Sequence, residues 1–507
     1  MKKLYKFLFS TQFMLALAFL ANVAVYIVCA IFLDWWYYGI FALLALILAL
    51  TISKNTIVSF ANKIAWTVIV IIMPFFGLAL YYFTRGRNGT KKERKTWQEI
   101  SNSSEEFLEV DVDTESALKK NNIETYNQCK YITNFTGMPV NNNSSIRYFN
   151  EGDKYFDSML NAIKKAKKYI FVESYRFKQG KVWDELFAVL KQKAREGVEI
   201  KFLYDDEGNI DTFEDKRTFF KLENHLIIAK PFNKIKLRFN LSSSNRDHRR
   251  MVVIDGTDAY FSSMDFSDES ANIVQPYGYF KDVGIKISGK AVWNLTVLFL
   301  TNWKLTTKEE IGYGTYKPEY EAIKSKEYIL PFGANPITIE PVTKNVYINA
   351  INSAKESIII TTPYLILDSE INGIIKLASK KGIDVKIVVP NVPKVKWQHD
   401  LSRTYYADLI RAGVQICEYL PGYIHCNMLV VDNATTIIST ANMDFRHMYK
   451  NYECSVLVYN SNVITDIRKD LETAVANSHI VTLRDLRKRK WYEKLHGAIL
   501  RNLKPMM

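Results

Sequence analysis

The sequence predicts an α/β protein: N-terminal transmembrane helices, then two α/β/α halves related by a pseudo-twofold axis. Three observations predict it. The first 85 residues are far more apolar than the rest, the remainder alternates helix-like and strand-like stretches, and one such stretch recurs. At 507 residues the chain is too long for one compact domain. We divide it into a transmembrane anchor region (1–85), a polar linker (86–140), a first half (141–320), a second half (321–483) and a basic amphipathic C-terminal helix (484–507).

In the anchor region, Phe13 to Leu33, Trp36 to Ile52 and Ile64 to Phe83 are apolar runs near membrane-spanning length. A signal peptide does not account for the first run, which is too long and is followed at once by another. Lys2, Lys3 and Lys6 precede it and Lys54 and Lys63 follow the second, so the two read as a hairpin with its tip outside. Pro74 and Gly77 interrupt the third run, and six basic residues from Arg85 to Lys95 follow it. It either dips into the membrane or crosses it, and the chain after Arg85 is expected in the cytosol.

The linker is rich in Asn and Ser, with an acidic patch from Glu105 to Glu115 and some local helix. Beyond it the chain repeats. Leu160 to Tyr175 is matched almost in register by Ile348 to Tyr364, each a helix followed by a strand. Ala194 to Tyr204 is matched by Ser379 to Val389, each a helix end capped by glycine (Gly197, Gly382) before a second strand.

The repeat carries chemistry. His248 is followed by Arg250, Asp255, Ser262, Ser263 and Asp265, and His425 at the same offsets by Asn427, Asp432, Ser439, Thr440 and Asn442. Met251–Ile254 and Met428–Val431 read as buried strands, which puts each histidine before a strand and each small-residue pair at the end of the next one. One histidine of this kind is ordinarily a polar residue at a strand mouth. Two at one spacing suggest a shared site in which a neutral imidazole attacks phosphorus while a protonated one donates to the departing oxygen. Asp255 and Asp432 would then orient the rings. Glu173 and Glu453, near strand ends, either buttress a histidine or anchor the structure. His225, His399, His447, His479 and His496 read as surface or packing residues. No metal-ligand spacing is evident, and five cysteines without paired spacing read as free thiols.

A formal charge of +14 calls for an anionic partner, and the apolar N-terminus makes a membrane surface the expected one rather than nucleic acid. The tail from Arg484 intersperses basic residues with Leu486, Trp491, Leu495, Ile499, Leu500 and Leu503. It reads either as an interfacial helix on an anionic bilayer or as a helix packed on the second half.

The paired histidine motifs, Tyr423 to Asp432, Ala441 to Arg446, Asn451 to Glu453 and the apolar N-terminal region resemble the phospholipase D superfamily, specifically bacterial cardiolipin synthases. The resemblance covers nearly the whole chain. It implies transfer of a phosphatidyl group from one phosphatidylglycerol to the hydroxyl of another, through a phosphohistidine and without a cofactor or metal. It also implies a multi-pass protein of the bacterial cell membrane, with His248 as nucleophile and His425 as general acid and base. Around them, Arg250, Asp255, Asn427 and Asp432 would complete the catalytic set, and Ser263, Asp265, Thr440, Asn442, Glu173 and Glu453 would line the substrate site. The chain departs from the family at Arg250 and Asn427, where the motifs have lysine, and at Asp265, where the first has asparagine. A lipid-binding or partner-binding protein without activity, or transfer to another alcohol or to water, are the alternatives.

Overall fold

The computed structural model describes residues 11–32, 36–54, 60–72, 77, 91–210, 227–234 and 245–503, apart from 322, 324 and 339. The chain forms two compact units, one of Met1–Asn88, Lys236–Ser244 and Ala498–Met507, the other of Gly89–Ile235 and Asn245–Gly497.

In the first unit, α1 (Thr11–Phe32), α2 (Trp36–Lys54) and α3 (Phe60–Ile72) follow the three apolar runs. Counting only residues whose side chains are described, no helix presents an apolar stretch long enough to cross a membrane. As backbone, however, α1 and α2 run for 22 and 19 residues. Ala45 and Ile52 of α2 pack with Trp66 and Val70 of α3. The third helix is described as far as Ile72, and the rest of that run, Gly77 excepted, lies outside the described residues.

The expected polar linker folds instead. Helices α4 (Lys91–Glu105), α5 (Val112–Asn121) and α6 (Ile123–Thr136) bury Ile100, Leu118, Cys129 and Ile132. Sparse apolar residues among Asn and Ser hid these helices, whose ends are fixed by side-chain caps: Asp111 accepts from Asp113 and Thr114, and Asn122 from Thr125.

The first half has strands β1 (Ser144–Phe149), β2 (Tyr169–Ser174), β3 (Glu199–Asp205), β4 (Ile227–Phe232), β5 (Arg250–Ile254), β6 (Asp258–Ser262), β7 (Tyr279–Lys281) and β8 (Gly284–Gly289). The second has β9 (Tyr328–Ala334), β10 (Ser357–Thr361), β11 (Asp384–Pro390), β12 (Gln415–Tyr419), β13 (Gly422–Ile424), β14 (Asn427–Val431), β15 (Thr435–Ser439), β16 (Glu453–Tyr459) and β17 (Ser478–Ile480). The sheets run β1-β8-β6-β5-β2-β3-β4 and β9-β16-β15-β14-β10-β11-β12-β17, so the two orders coincide strand for strand except for the extra β17.

Every residue of β5 and of β14 is buried, as their unbroken apolar runs require of central strands covered on both faces. Helices α7 (Gly152–Ile163) and α8 (Lys181–Arg195) cover one face of the first sheet with Phe156, Met159, Leu186 and Leu190. Helix α9 (Val292–Thr307) is buried all round from Val292 to Trp303 and touches β2, β5 and β8 as well as β9 of the other sheet. A helix apolar on every side can only be an interior one.

Residues Leu483–Lys488 and Trp491–Leu503 form two tail helices. Arg489 and His496 reach Asp400 on the helix Lys396–Arg411, at 3.5 and 3.3 Å, while Trp491 and Leu495 stay exposed.

Candidate active site

Each histidine precedes its central strand and is held by the other half. The His248 amide donates to the Tyr452 carbonyl at 2.9 Å, beside an Asp247–Tyr452 bridge. The His425 amide donates to the Lys281 carbonyl at 2.8 Å, continuing the parallel pairing of β13 with β7. The residue following each of these partners is a carboxylate. Glu453 Oε2 lies 3.2 Å from His248 Nδ1, and Asp282 Oδ2 lies 2.7 Å from His425 Nδ1. Both carboxylates are buried, and each is also bound within its own half, Asp282 by Ser263 Oγ at 2.6 Å and Glu453 by the Thr440 hydroxyl. Each Nδ1 faces a carboxylate, so Nε2 is the nitrogen on the side of each ring away from it.

Charge around the first histidine is arranged by Arg250. Its NH2 lies 3.2 Å from His248 Nε2, its NH1 donates to the His248 carbonyl at 3.0 Å, and its Nε donates to Asp265 at 2.7 Å. Burial, with Arg250 and His447 adding positive charge, holds the His248 imidazole well below the usual histidine range. Burial alone would raise the Asp265 carboxyl, but Arg250, His425 and Lys394 hold it at about 2, so it is ionised and paired. In the second half a neutral pair takes the same place, with Asn427 Nδ2 donating to Asn442 Oδ1 at 2.9 Å.

The two motif aspartates lie elsewhere. Asp255 accepts from the amides of Lys167, Lys168 and Tyr169 at 2.7, 2.7 and 2.9 Å, and Asp432 from Lys355, Glu356 and Ser357 at 3.1, 2.9 and 2.9 Å. Five residues of extended strand separate each from the start of its motif, so they pin the far end of the strand and do not orient the rings. Glu173 also turns away. In β2 it alternates with Ser174, the partner of Arg250, and it accepts from Asn302 of α9 at 2.6 Å near Arg249. Ser263 and Thr440 spend their hydroxyls on the carboxylates.

Two residues escaped sequence reasoning. Asp282 is the structural counterpart of Glu453, each two residues before the one that pairs with the last residue of β6 or β15, Gly284 with Ser262 and Ser455 with Ser439. It stands 34 residues after His248, whereas Glu453 stands 28 after His425, so a search at constant spacing misses it. His447, read as a packing residue, lies one position beyond the run Ala441 to Arg446. Its ring centroid is 4.5 Å from that of His248, its Nδ1 is 2.7 Å from Asp444 and its Nε2 is 3.2 Å from Asn442. Burial pulls its imidazolium down, but Asp444 more than offsets this and its pKa is raised. Tyr175 closes the other side of His248 at 4.7 Å.

Ligand atoms of His248, His447 and Glu453 lie within 4.8 Å of one another, a cluster of metal-binding type that linear spacing did not reveal. The guanidinium of Arg250 already occupies the cationic position beside His248. A cavity of about 470 Å³ lined by Arg147, Lys165 and Lys286 adjoins Asp255, at the end of β5 remote from His248.

Comparison with known proteins adds to this geometry. A family model described as cardiolipin synthase, PLD-like domain, matches residues 159–278 and 347–475, and a phospholipase D-nuclease N-terminal model matches 40–86. The chain is 31% identical to an uncharacterized protein of Streptococcus mutans, over 88% of this chain and 96% of that one. It is 28% identical to a cardiolipin synthase of Halalkalibacterium halodurans, over 94% and 95%. A phosphatidylserine synthase of Haemophilus influenzae shares the fold at a TM-score of 0.57 and 14% identity, covering 75% of this chain and all of that one.

Proposed function

The chain belongs to the bacterial cardiolipin synthase family of the phospholipase D superfamily, and from that premise we propose that it condenses two phosphatidylglycerol molecules into cardiolipin and glycerol. The observation that carries the reading is the crossed arrangement of two histidines, each with its Nδ1 on a carboxylate of the opposite half.

In this reading Nε2 of neutral His248 attacks phosphorus of the first lipid. The bond from phosphorus to the glycerol oxygen breaks, and protonated His425 gives its proton to that oxygen. Glycerol leaves. The hydroxyl of a second phosphatidylglycerol then attacks the phosphohistidine, His425 takes its proton, and the bond from Nε2 to phosphorus breaks. Arg250 stabilises the nonbridging oxygens through its fork. Pairing with Asp265 leaves it cationic but partly neutralised. Asn427 and Asn442 contribute hydrogen bonds without charge.

The N-terminal unit anchors the protein in the cell membrane with the catalytic unit on the cytoplasmic side. Helices α1 and α2 are long enough for roughly 33 and 28 Å of rise. Leu17, Leu20, Ile27 and Ile31 on the first, and Leu43, Leu46 and Leu50 on the second, are exposed apolar side chains that lipid would cover.

The full chain in phosphatidylglycerol vesicles should yield diphosphatidyl product, and His248→Ala and His425→Ala should each abolish it. No product above the double variant would favour a lipid-binding role instead, and a different phosphatidyl product would reveal another acceptor.

A further inference from the structure

Position 427 has no charge, so the second half lacks the counterpart of Arg250. A lysine outside both motifs lies on that side of the site. Lys394 follows β11, with its Nζ 5.5 Å from the ring centroid of Phe280 and 5.9 Å from that of Tyr423. Both rings pack beside His425, at 5.3 and 6.2 Å. An ammonium over two ring faces is held in place while its N–H groups remain able to meet an anion.

The acids near Lys394 have closer partners. Asp265 is bound by Arg250 and Glu269 by Lys178, each at 2.7 Å. Arg176 and Lys178 add positive charge around it. Among the described residues no carboxylate pairs with Lys394, so its charge is not neutralised at contact. Burial lowers its pKa from the ordinary lysine value, as expected of an ammonium waiting for an anion rather than one already paired.

We propose that Lys394 is the second phosphate-holding cation of the site, supplying from the loop after β11 the charge that position 427 lacks. It meets the nonbridging oxygens from the His425 side while Arg250 meets them from the His248 side. The inference rests on the phosphatidyl-transfer reading, and its test separates the two.

Binding of short-chain phosphatidylglycerol is measured on the full chain carrying His248→Ala, so that no turnover intervenes, with and without Lys394→Met. Turnover is measured on Lys394→Met, Lys394→Arg and Lys394→Met with Asn427→Lys. Lys394→Met should weaken binding about tenfold and lower kcat/KM about ten- to a hundredfold, the scale of one lost charge-assisted hydrogen bond. Lys394→Arg should keep most of both, and Asn427→Lys should recover at least part of the loss. Binding within twofold of the parent in Lys394→Met overturns the inference, whatever the turnover. So does a loss that neither Lys394→Arg nor Asn427→Lys repairs, since that is the mark of packing. Weakened binding in a parent chain that makes no cardiolipin upholds Lys394 as a phosphate contact and overturns the transferase reading alone.

Discussion

Arg250 and Asp265 of the first motif form one ion pair, Nε to Oδ1 at 2.7 Å, against the ring of His248. The two side chains therefore act as one unit, the carboxylate holding the guanidinium beside the ring. Arg250→Lys and Asp265→Asn made singly should each lower stability and rate, and the double variant should recover much of both. A double-mutant cycle on the unfolding midpoint should give a coupling of about 1 to 3 kcal/mol. Simple additivity would mean that the two side chains act independently.

Glu453 and Asp282 each face Nδ1 of a ring belonging to the other half, an arrangement that favours the proton on that nitrogen. Glu453→Gln and Asp282→Asn should preserve the fold and slow product formation by about two to four decades, since an amide no longer demands the proton on Nδ1. Rapid-quench kinetics should place the first loss mainly in formation of the phosphatidyl-enzyme and the second in both its formation and its transfer to the second lipid, since His425 carries the proton in each step. Unchanged rates would remove the crossed carboxylates from the mechanism.

Asp255 and Asp432 lie in the motifs but serve the fold. Each gathers three backbone amides, so alanine there should cost about 2 to 4 kcal/mol of stability. The rate per folded molecule should stay near that of the parent, as read by activity normalised to folded fraction. A fully folded but inactive Asp255→Ala would return that residue to the chemistry.

The pH dependence follows from His248. Its folded pKa is depressed, so below the ordinary value of 6.5 the unfolded chain binds a proton that the folded protein refuses. Stability from this group is therefore full above pH 6.5 and declines as pH falls towards the folded pKa. The nucleophile stays neutral over the same range, so the acid limb of kcat/KM should lie below 6.5. Arg250→Gln should move that limb upward by removing a neighbouring cation. A limb at 6.5 that ignores the substitution would contradict this.

How much of this was legible in sequence depended on whether the signal was local. Continuous apolar runs placed β5 and β14 to within one residue, because each is a short apolar stretch between turns. The duplication brought His248 and His425 into view together. Asp282 stayed hidden because the loops before it and before Glu453 differ in length, and contact across the halves leaves no mark in either alone. Asp255 was misread for a related reason. Its constant spacing from the histidine reflects the length of a strand, and spacing does not say which end of the strand does the chemistry. Only some local helix was expected from Lys91 to Thr136, where three helices form, because their caps and few apolar residues resemble linker composition.

The crossed carboxylates have a consequence for how such a chain can change. A symmetric homodimer built from one half would carry two identical motifs, and any substitution near one histidine would appear beside both. Joined in one polypeptide, the two faces mutate separately. An ion pair stands at Arg250 and Asp265 where the other half has the neutral pair Asn427 and Asn442, and His447 stands beside the ring of His248. A single chain thus leaves the two histidines free to have different environments, as the two unequal proton-transfer roles proposed for them require.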